Sequence, residues 1–173
     1  MVIEGRLSVR LARPEDAEAI RRIYNREVTG STVTFDLVPR SVEEQQRWME
    51  QHSGAHPALV ADDGGVVVGF ASLSPYRSRP AYSTTVEDSV YVDAAHRGRG
   101  VGRLLLSEAL DLAATSGFHA VMARIVGTHE ASIGLHRACG FELVGIEREV
   151  GRKFGRWLDV ALMQRLLVSP GSS

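Results

Sequence analysis

The chain of 173 residues has one cysteine, Cys139, and one lysine, Lys153. A lone thiol closes no internal disulfide, and a chain of this length buries a sizeable core without a disulfide or metal staple. Neither sign of charge dominates: 20 basic and 21 acidic residues leave a net charge of -1. That excludes a general nucleic-acid binder, though not a local basic patch. No apolar run approaches the roughly 18 residues of a membrane-spanning helix. Glu4, Arg6 and Arg10 interrupt the segment where a secretory signal would need an apolar stretch. There is no His-x-His or Cys-x-x-Cys pair, and His129-Glu130 lacks a second histidine four positions after the first, so no metal is expected. The expected compartment is the reducing cytoplasm.

What is present is 44% apolar and 24% charged residues, the balance of one globular domain. We read residues 1–168 as that domain and Ser169-Pro170-Gly171-Ser172-Ser173 as a disordered tail. Ser8 to Leu11 suits a short strand. Pro14, followed by Glu15 and Asp16, suits a first helical turn, and Ala17, Ile20, Ile23 and Tyr24 form a helical stripe to about Arg26. Ser41 with Glu44 is a capping box opening a second helix through Trp48. Ala58–Ala61 and Val66–Leu73 read as strands, joined by the hairpin signal Asp62-Asp63-Gly64-Gly65. Val86–Val92 is a further strand and Gly102–Ser116 a long helix ended by Gly117. Ala120–Ile125, a short helix Ala131–Ala138, and strands Leu143–Val150 and Trp157–Leu166 complete the order β-α-α-β-β-β-α-β-α-β-β. Helices interleaved with hairpins imply a mixed sheet covered by helices, in the α/β or α+β class.

The most informative stretch joins the strand Val86-Glu87-Asp88-Ser89-Val90-Tyr91-Val92 to the loop His96-Arg97-Gly98-Arg99-Gly100-Val101-Gly102-Arg103. Three glycines in five positions let backbone N–H groups approach an anion unobstructed. The following helix start adds a partial positive charge, and Arg97, Arg99 and Arg103 add full ones. The physical reading is a pyrophosphate cradle, against a solvated turn as the alternative. It lacks the Gly-Lys-Ser/Thr ending of a nucleoside-triphosphate loop and the Gly-x-Gly-x-x-Gly spacing of a dinucleotide fold.

The spacing Arg97-x-x-Gly100-x-Gly102 after a β-branched strand resembles the acyl-CoA motif of the GNAT N-acetyltransferases. Ile23-Tyr24-Asn25, Ser31-Thr32-Val33-Thr34-Phe35, Thr85-Val86-Glu87, Leu135-His136 with Gly140-Phe141, and Val150 to Asp159 resemble its phosphinothricin acetyltransferase branch. The resemblance implies a mostly antiparallel central sheet flanked by helices, acetyl-CoA as cosubstrate, and a homodimer. It implies that Val90, Tyr91 and Val92 present backbone groups to the pantetheine arm, and that Gly98, Arg99, Gly100, Val101, Gly102 and Arg103, with Arg97, bind pyrophosphate. His129 and Ser132, at the start of the helix after the fifth strand, are further candidates for the cofactor arm. Glu87 stands where the family places a catalytic carboxylate, and His136 where it places a second proton-handling group. Two positions depart from the branch: His129 replaces its usual asparagine, and Asp88 its usual histidine. Asp88 would add a second carboxylate beside the substrate pocket.

The expected activity is transfer of an acetyl group to the amine of a small amino acid or analogue, of the phosphinothricin or methionine sulfoximine/sulfone type. Acetylation of a protein N-terminus or another small amine, and a non-catalytic acyl-CoA sensor, are the alternatives. Glu87 would take the proton of the arriving ammonium and His136 would assist the leaving thiolate. Arg77, Ser78 and Arg79, with Glu87, Asp88 and Ser89, are the candidate substrate contacts, Arg77 first as a forked partner for a carboxylate. Lys153 and Arg156, in the last hairpin turn, are candidates to reach a neighbouring subunit's site. Trp48, Phe154 and Trp157 read as packing residues, and His52, His56 and His96 as surface ones.

Overall fold

A computed structural model describes residues 7–127 and 129–168; the expected tail over 169–173 lies outside them. The elements are β1 (Leu7–Leu11), α1 (Ala17–Gly30), α2 (Val42–Gln51), β2 (Ala58–Asp63), β3 (Val66–Pro75), β4 (Thr85–Val92), α3 (Val101–Thr115), β5 (Ala120–Val126), α4 (Glu130–Ala138), β6 (Glu142–Lys153) and β7 (Arg156–Leu166). The seven strands form one sheet in the order β1-β2-β3-β4-β5-β7-β6. Every neighbouring pair is antiparallel except β4 and β5, which run parallel.

Local chemistry sets several element ends. The Ser41 hydroxyl accepts from the Glu44 amide at 3.1 Å and the Glu44 carboxylate accepts from the Ser41 amide at 2.7 Å, which starts α2. Helix α1 runs four residues past its expected end because Glu27 and Val28 continue the buried stripe of Ile20, Ile23 and Tyr24. Arg10 of β1 bonds Asp16 ahead of α1 and Asp62 at the end of β2, fixing the edge strand to its neighbours.

Two cores sit on opposite faces of the sheet. On one, Leu105, Leu106, Ala109 and Leu110 of α3 pack against Leu59, Leu73, Val86, Val121 and Met163. On the other, α1 places Ile20, Ile23, Tyr24 and Val28 against Val60, Val67 and Phe70. Each fully buried Leu, Ile or Val contributes about 1.5–3 kcal/mol relative to exposure. Trp48 of α2 joins the second core edge-on to Phe70, and Phe70 stacks on Tyr91 at 5.2 Å between centroids.

Several side chains differ from the sequence reading. His52 is not a free surface histidine: it stacks on Trp48, with Nδ1 against the Trp48 carbonyl and Nε2 against the Ser74 hydroxyl. Phe154 and Trp157 are not core residues: they are 58% and 60% exposed on the β6–β7 hairpin, with the Arg152 guanidinium over the Trp157 ring. Lys153 is buried, and its ammonium donates to the Thr34 carbonyl at 2.9 Å. Burial lowers its pKa despite the nearby Asp36 and Glu27 carboxylates.

Candidate active site

Strand β4 meets β5 only at Thr85, Val86 and Glu87, opposite Ala120, Val121 and Met122. Beyond Glu87 the two strands part. From Asp88 to Val92, β4 keeps its ladder with β3 and has no partner strand on the other side. Unpaired backbone groups in the middle of a sheet need another partner. The gap opens a cleft of about 540 Å³, lined by both separated strands, the loop before α3, the starts of α3 and α4, and Val33, Thr34 and Phe35 after α1.

One end of the cleft is the glycine-rich loop. Gly98 and Gly100 adopt φ of +75° and +81°, a region that strains any residue with a Cβ. A Cβ on either would meet only open space, so the loop's surface is bare backbone. Helix geometry leaves the first N–H groups of α3, at Val101, Gly102 and Arg103, without carbonyl partners in the helix. These fit the pyrophosphate of an acyl-CoA, and the free edge of β4 fits an extended amide-bearing arm. Arg103 lines this end. Arg97 also lines the cleft, but its guanidinium pairs with Glu27 of α1 and donates to the Val92 carbonyl. Arg97 therefore braces the loop against α1. Arg99 is 56% exposed and faces Asp63 at 3.5 Å.

Alternation along β4 separates the two acidic neighbours. Val86, Val90 and Val92 belong to the α3 core, and Tyr91 to the α1 core. Asp88 therefore lies on the α3–α4 side and Glu87 on the side of α1. Glu87 is half-buried at the cleft. Burial raises its pKa above the ordinary 4.5; Arg124 opposes the rise and Asp88 adds to it. Asp88 is buried and bonds His136 Nε2 at 2.8 Å, while His136 Nδ1 donates to the Ser132 carbonyl at 2.8 Å. Burial opposes a charge on His136, but the hydrogen bond and charge of Asp88 outweigh it and raise its pKa. Asp88 is thus a partner for His136, not a free carboxylate in the substrate space, although the second oxygen of Asp88 has no partner among the described residues.

His129 caps α4. Its Nδ1 accepts from the Ser132 amide at 3.3 Å, the task an asparagine side chain performs at a helix start. Burial and the Arg97 charge lower its pKa, which keeps Nδ1 free to accept. His96 is half-buried against the cleft, not a surface residue.

Glu87, Asp88, Ser89, Val90, Tyr91, Val92, Arg97, Gly98, Gly100, Val101, Gly102, Arg103, His129, Ser132 and His136 all line this one cleft. Arg77, Ser78 and Arg79 do not; they are exposed on the β3–β4 connection, with Arg77 over the rings of Tyr76 and Tyr82. Two lining elements went unread as site in the sequence. Arg124 of β5 was hidden in an apolar strand, where period-two alternation was the available signal. The segment Val33–Phe35 is held by the last hairpin, through the Lys153 bond to Thr34 and through Gly151, where a Cβ would overlap the Phe35 ring. Among the described residues no three His, Cys, Asp or Glu side chains are grouped to hold a metal, and no helix is long and apolar enough to cross a membrane.

The sequence and the fold that carry this cleft are matched in known proteins. The family model described as an acetyltransferase (GNAT) domain matches residues 9–162. The chain belongs to the GNAT acetyltransferase family. It is 41% identical over 165 residues to a phosphinothricin N-acetyltransferase of Streptomyces coelicolor, covering 93% of this chain and 96% of that one. It is 40% identical over 159 residues to an L-methionine sulfoximine/L-methionine sulfone acetyltransferase of Salmonella typhimurium, covering 91% and 93%. A GNAT superfamily phosphinothricin acetyltransferase from Sinorhizobium meliloti, solved in complex with acetyl-CoA, superposes with a TM-score of 0.90 at 39% identity, covering 96% and 92%. The mixed, mostly antiparallel sheet expected from the sequence is the GNAT fold.

Proposed function

We propose that this GNAT acetyltransferase acetylates the amino group of a small amino acid or amino-acid analogue, with Glu87 as general base. The observation that carries the reading is Glu87 itself, a half-buried carboxylate with a raised pKa beside the unpaired edge of β4. The named activities of the relatives support the substrate class.

When bound, acetyl-CoA supplies an activated thioester carbonyl. The amide edge of β4 at Val90, Tyr91 and Val92 aligns the pantetheine arm, and the N–H groups from Gly98 to Arg103 hold the pyrophosphate. Glu87 takes a proton from the arriving ammonium, directly or through a water, leaving a nucleophilic amine. A β4 amide near Tyr91 or Val92 stabilises the developing oxyanion. His136 donates through Nε2, which is directed at Asp88, so a proton passed to the leaving sulfur comes from that pair. Cys139 is buried and takes no covalent role.

The exposed apolar side chains of β6 and β7, including Leu143, Val144, Ile146, Trp157 and Leu166, support a homodimer through this hairpin. Light scattering of the purified chain tests it; a monomer at micromolar concentration removes it. The absence of a membrane-length helix among the described residues and the single buried thiol fit a cytoplasmic enzyme.

The deciding experiment is CoA release from acetyl-CoA across L-amino acids, their phosphinate, sulfone and sulfoximine analogues, and peptides. Release with small amino acids or these analogues is expected. Release with peptides alone would make the chain a protein N-terminal acetyltransferase. Acetyl-CoA binding with no release would make it a sensor.

A further inference from the structure

Three arginines line the cleft, and two have other duties. Arg97 is tied to Glu27 and the Val92 carbonyl, and Arg103 sits on the first turn of α3 at the phosphate end. Arg124 is different. In β5, Val121, Ala123 and Ile125 belong to the α3 core, so Met122 and Arg124 share the opposite face. Met122 is level with Glu87, and Arg124 lies two residues further along, about 7 Å by strand geometry, where β4 and β5 have parted. Glu87 and Arg124 thus stand on the same side of the sheet at the mouth of one gap.

The guanidinium of Arg124 is oriented but not used up. Nη2 lies 2.8 Å from Glu147 Oε1 of β6, with 35% of the Arg124 side chain exposed. That oxygen accepts no hydrogen bond among the described residues, so the contact is one of charge alone. The fork of N–H donors remains open to a planar anion.

A base that removes a proton from an ammonium does not by itself select among amines. A neighbouring cation does, because it favours an acceptor bearing an anion a short distance from its amine and disfavours one bearing only positive charge. Resting on the amino-acid acetylation proposed above, we infer that Arg124 is the residue that binds the acceptor's carboxylate and so restricts this enzyme to free amino acids and similarly anionic amines. The ammonium then lies toward Glu87 and the carboxylate toward Arg124. A peptide, whose carboxylate is remote from its amine, is not held this way.

The test compares L-methionine sulfone with its carboxamide, which keeps the amine and side chain but lacks the carboxylate. Both are assayed by CoA release with wild type, Arg124→Gln, Arg124→Lys and Arg77→Ala. Retained acetyl-CoA affinity by calorimetry shows that each variant is folded. Arg124→Gln is expected to lower kcat/KM for the free acid by about 10–150-fold and to change the carboxamide little, the range of a charge-assisted forked pair. Arg124→Lys should restore part of the loss, since charge returns without the fork. Equal losses on both substrates, or a carboxylate-specific loss in Arg77→Ala instead, overturn the assignment while leaving acetyl transfer intact. So does a wild type that treats acid and carboxamide alike. No release by wild type with any amine overturns the proposed reaction first, and Arg124's role with it.

Discussion

Glu87 and Asp88 are adjacent carboxylates in one strand, and their surroundings give them opposite tasks. Glu87 faces the cleft, half-buried, its carboxylate with no hydrogen bond to a described residue and its proton affinity raised by burial. Asp88 faces α4, buried, and holds an imidazole 48 positions later in the chain. A strand turns successive side chains to opposite faces, so one residue step separates a carboxylate with no side-chain partner from one bonded to an imidazole. Parting of β4 from β5 just after Glu87 opens one cleft that both residues line, and in it the Glu87 carboxylate has no hydrogen-bond partner while that of Asp88 is held against His136 of α4.

The sharpest way to test this contrast is to neutralise each carboxylate. Glu87→Gln should lower kcat by roughly 10²–10⁴-fold with acetyl-CoA affinity nearly unchanged, since only proton removal is lost. Turnover near wild type at neutral pH would take Glu87 out of the mechanism. Asp88→Ala should act mainly on stability. It leaves His136 Nε2 buried without its partner, at a cost of about 1–3 kcal/mol near neutral pH, where the imidazole can shed its proton. At lower pH the cost approaches about 3–5 kcal/mol, because an unpaired imidazolium would be buried. Thermal melts at two pH values measure both. A loss of stability for Glu87→Gln equal to that for Asp88→Ala would erase the proposed division of labour.

The same strand shows how much was legible beforehand. Its β-branched run, the glycine loop and the following helix were readable because each depends on neighbours in sequence. The positive φ at Gly98 and Gly100, the reciprocal Ser41–Glu44 cap and the turn at Gly64-Gly65 are local chemistry. Glu87 could be picked out as a carboxylate in an apolar strand. The partner of Asp88 could not, since it depends on how α4 crosses the sheet. The bond of Lys153 to Thr34 across 119 positions is illegible for the same reason; the sequence offers Lys153 only as a candidate to reach a neighbouring subunit's site. Phe154 and Trp157 read as packing residues, but residue type alone does not say that the last hairpin leaves them 58% and 60% exposed. Arg124 was missed because the face of β5 it occupies becomes a cleft wall only where β4 departs.

The cradle offers a smaller effect. Gly100→Val places a β-branched residue at a φ of +81°, costing about 1–2 kcal/mol of backbone strain or a shift of the loop, and puts side-chain atoms where the pyrophosphate would approach. Calorimetry should find acetyl-CoA binding weakened about tenfold or more. Unchanged affinity in a folded variant would separate the loop from the cofactor. On the Glu87 side of the strand, the pH profile is a milder probe. Burial raises the pKa of Glu87 and the base must be ionised, so the acid limb of kcat/KM should lie above the ordinary carboxylate value of 4.5. Arg124 favours the ionised form, so Arg124→Gln should move that limb to still higher pH. A limb that stays put in Arg124→Gln would mean the two side chains do not sense each other.

The smallest effect belongs to the α4 side of the strand. Asp88→Asn keeps the shape and lets the amide donate to a neutral His136, so the fold should survive with a changed response to pH. In the wild type the His136 pKa is raised in the folded state relative to the ordinary 6.5. A raised histidine pKa contributes stability that is fully present below its unfolded value and is lost as pH rises through the folded value. Wild-type stability should therefore carry a component that declines across this interval above pH 6.5. In Asp88→Asn the raising charge is gone while burial still disfavours the imidazolium, so that component should vanish or reverse sign. Urea titrations at several pH values on either side of the interval, on both proteins, give the difference directly. Parallel curves would mean that Asp88 and His136 exchange no charge in the folded protein, and that the pair is held by a neutral hydrogen bond.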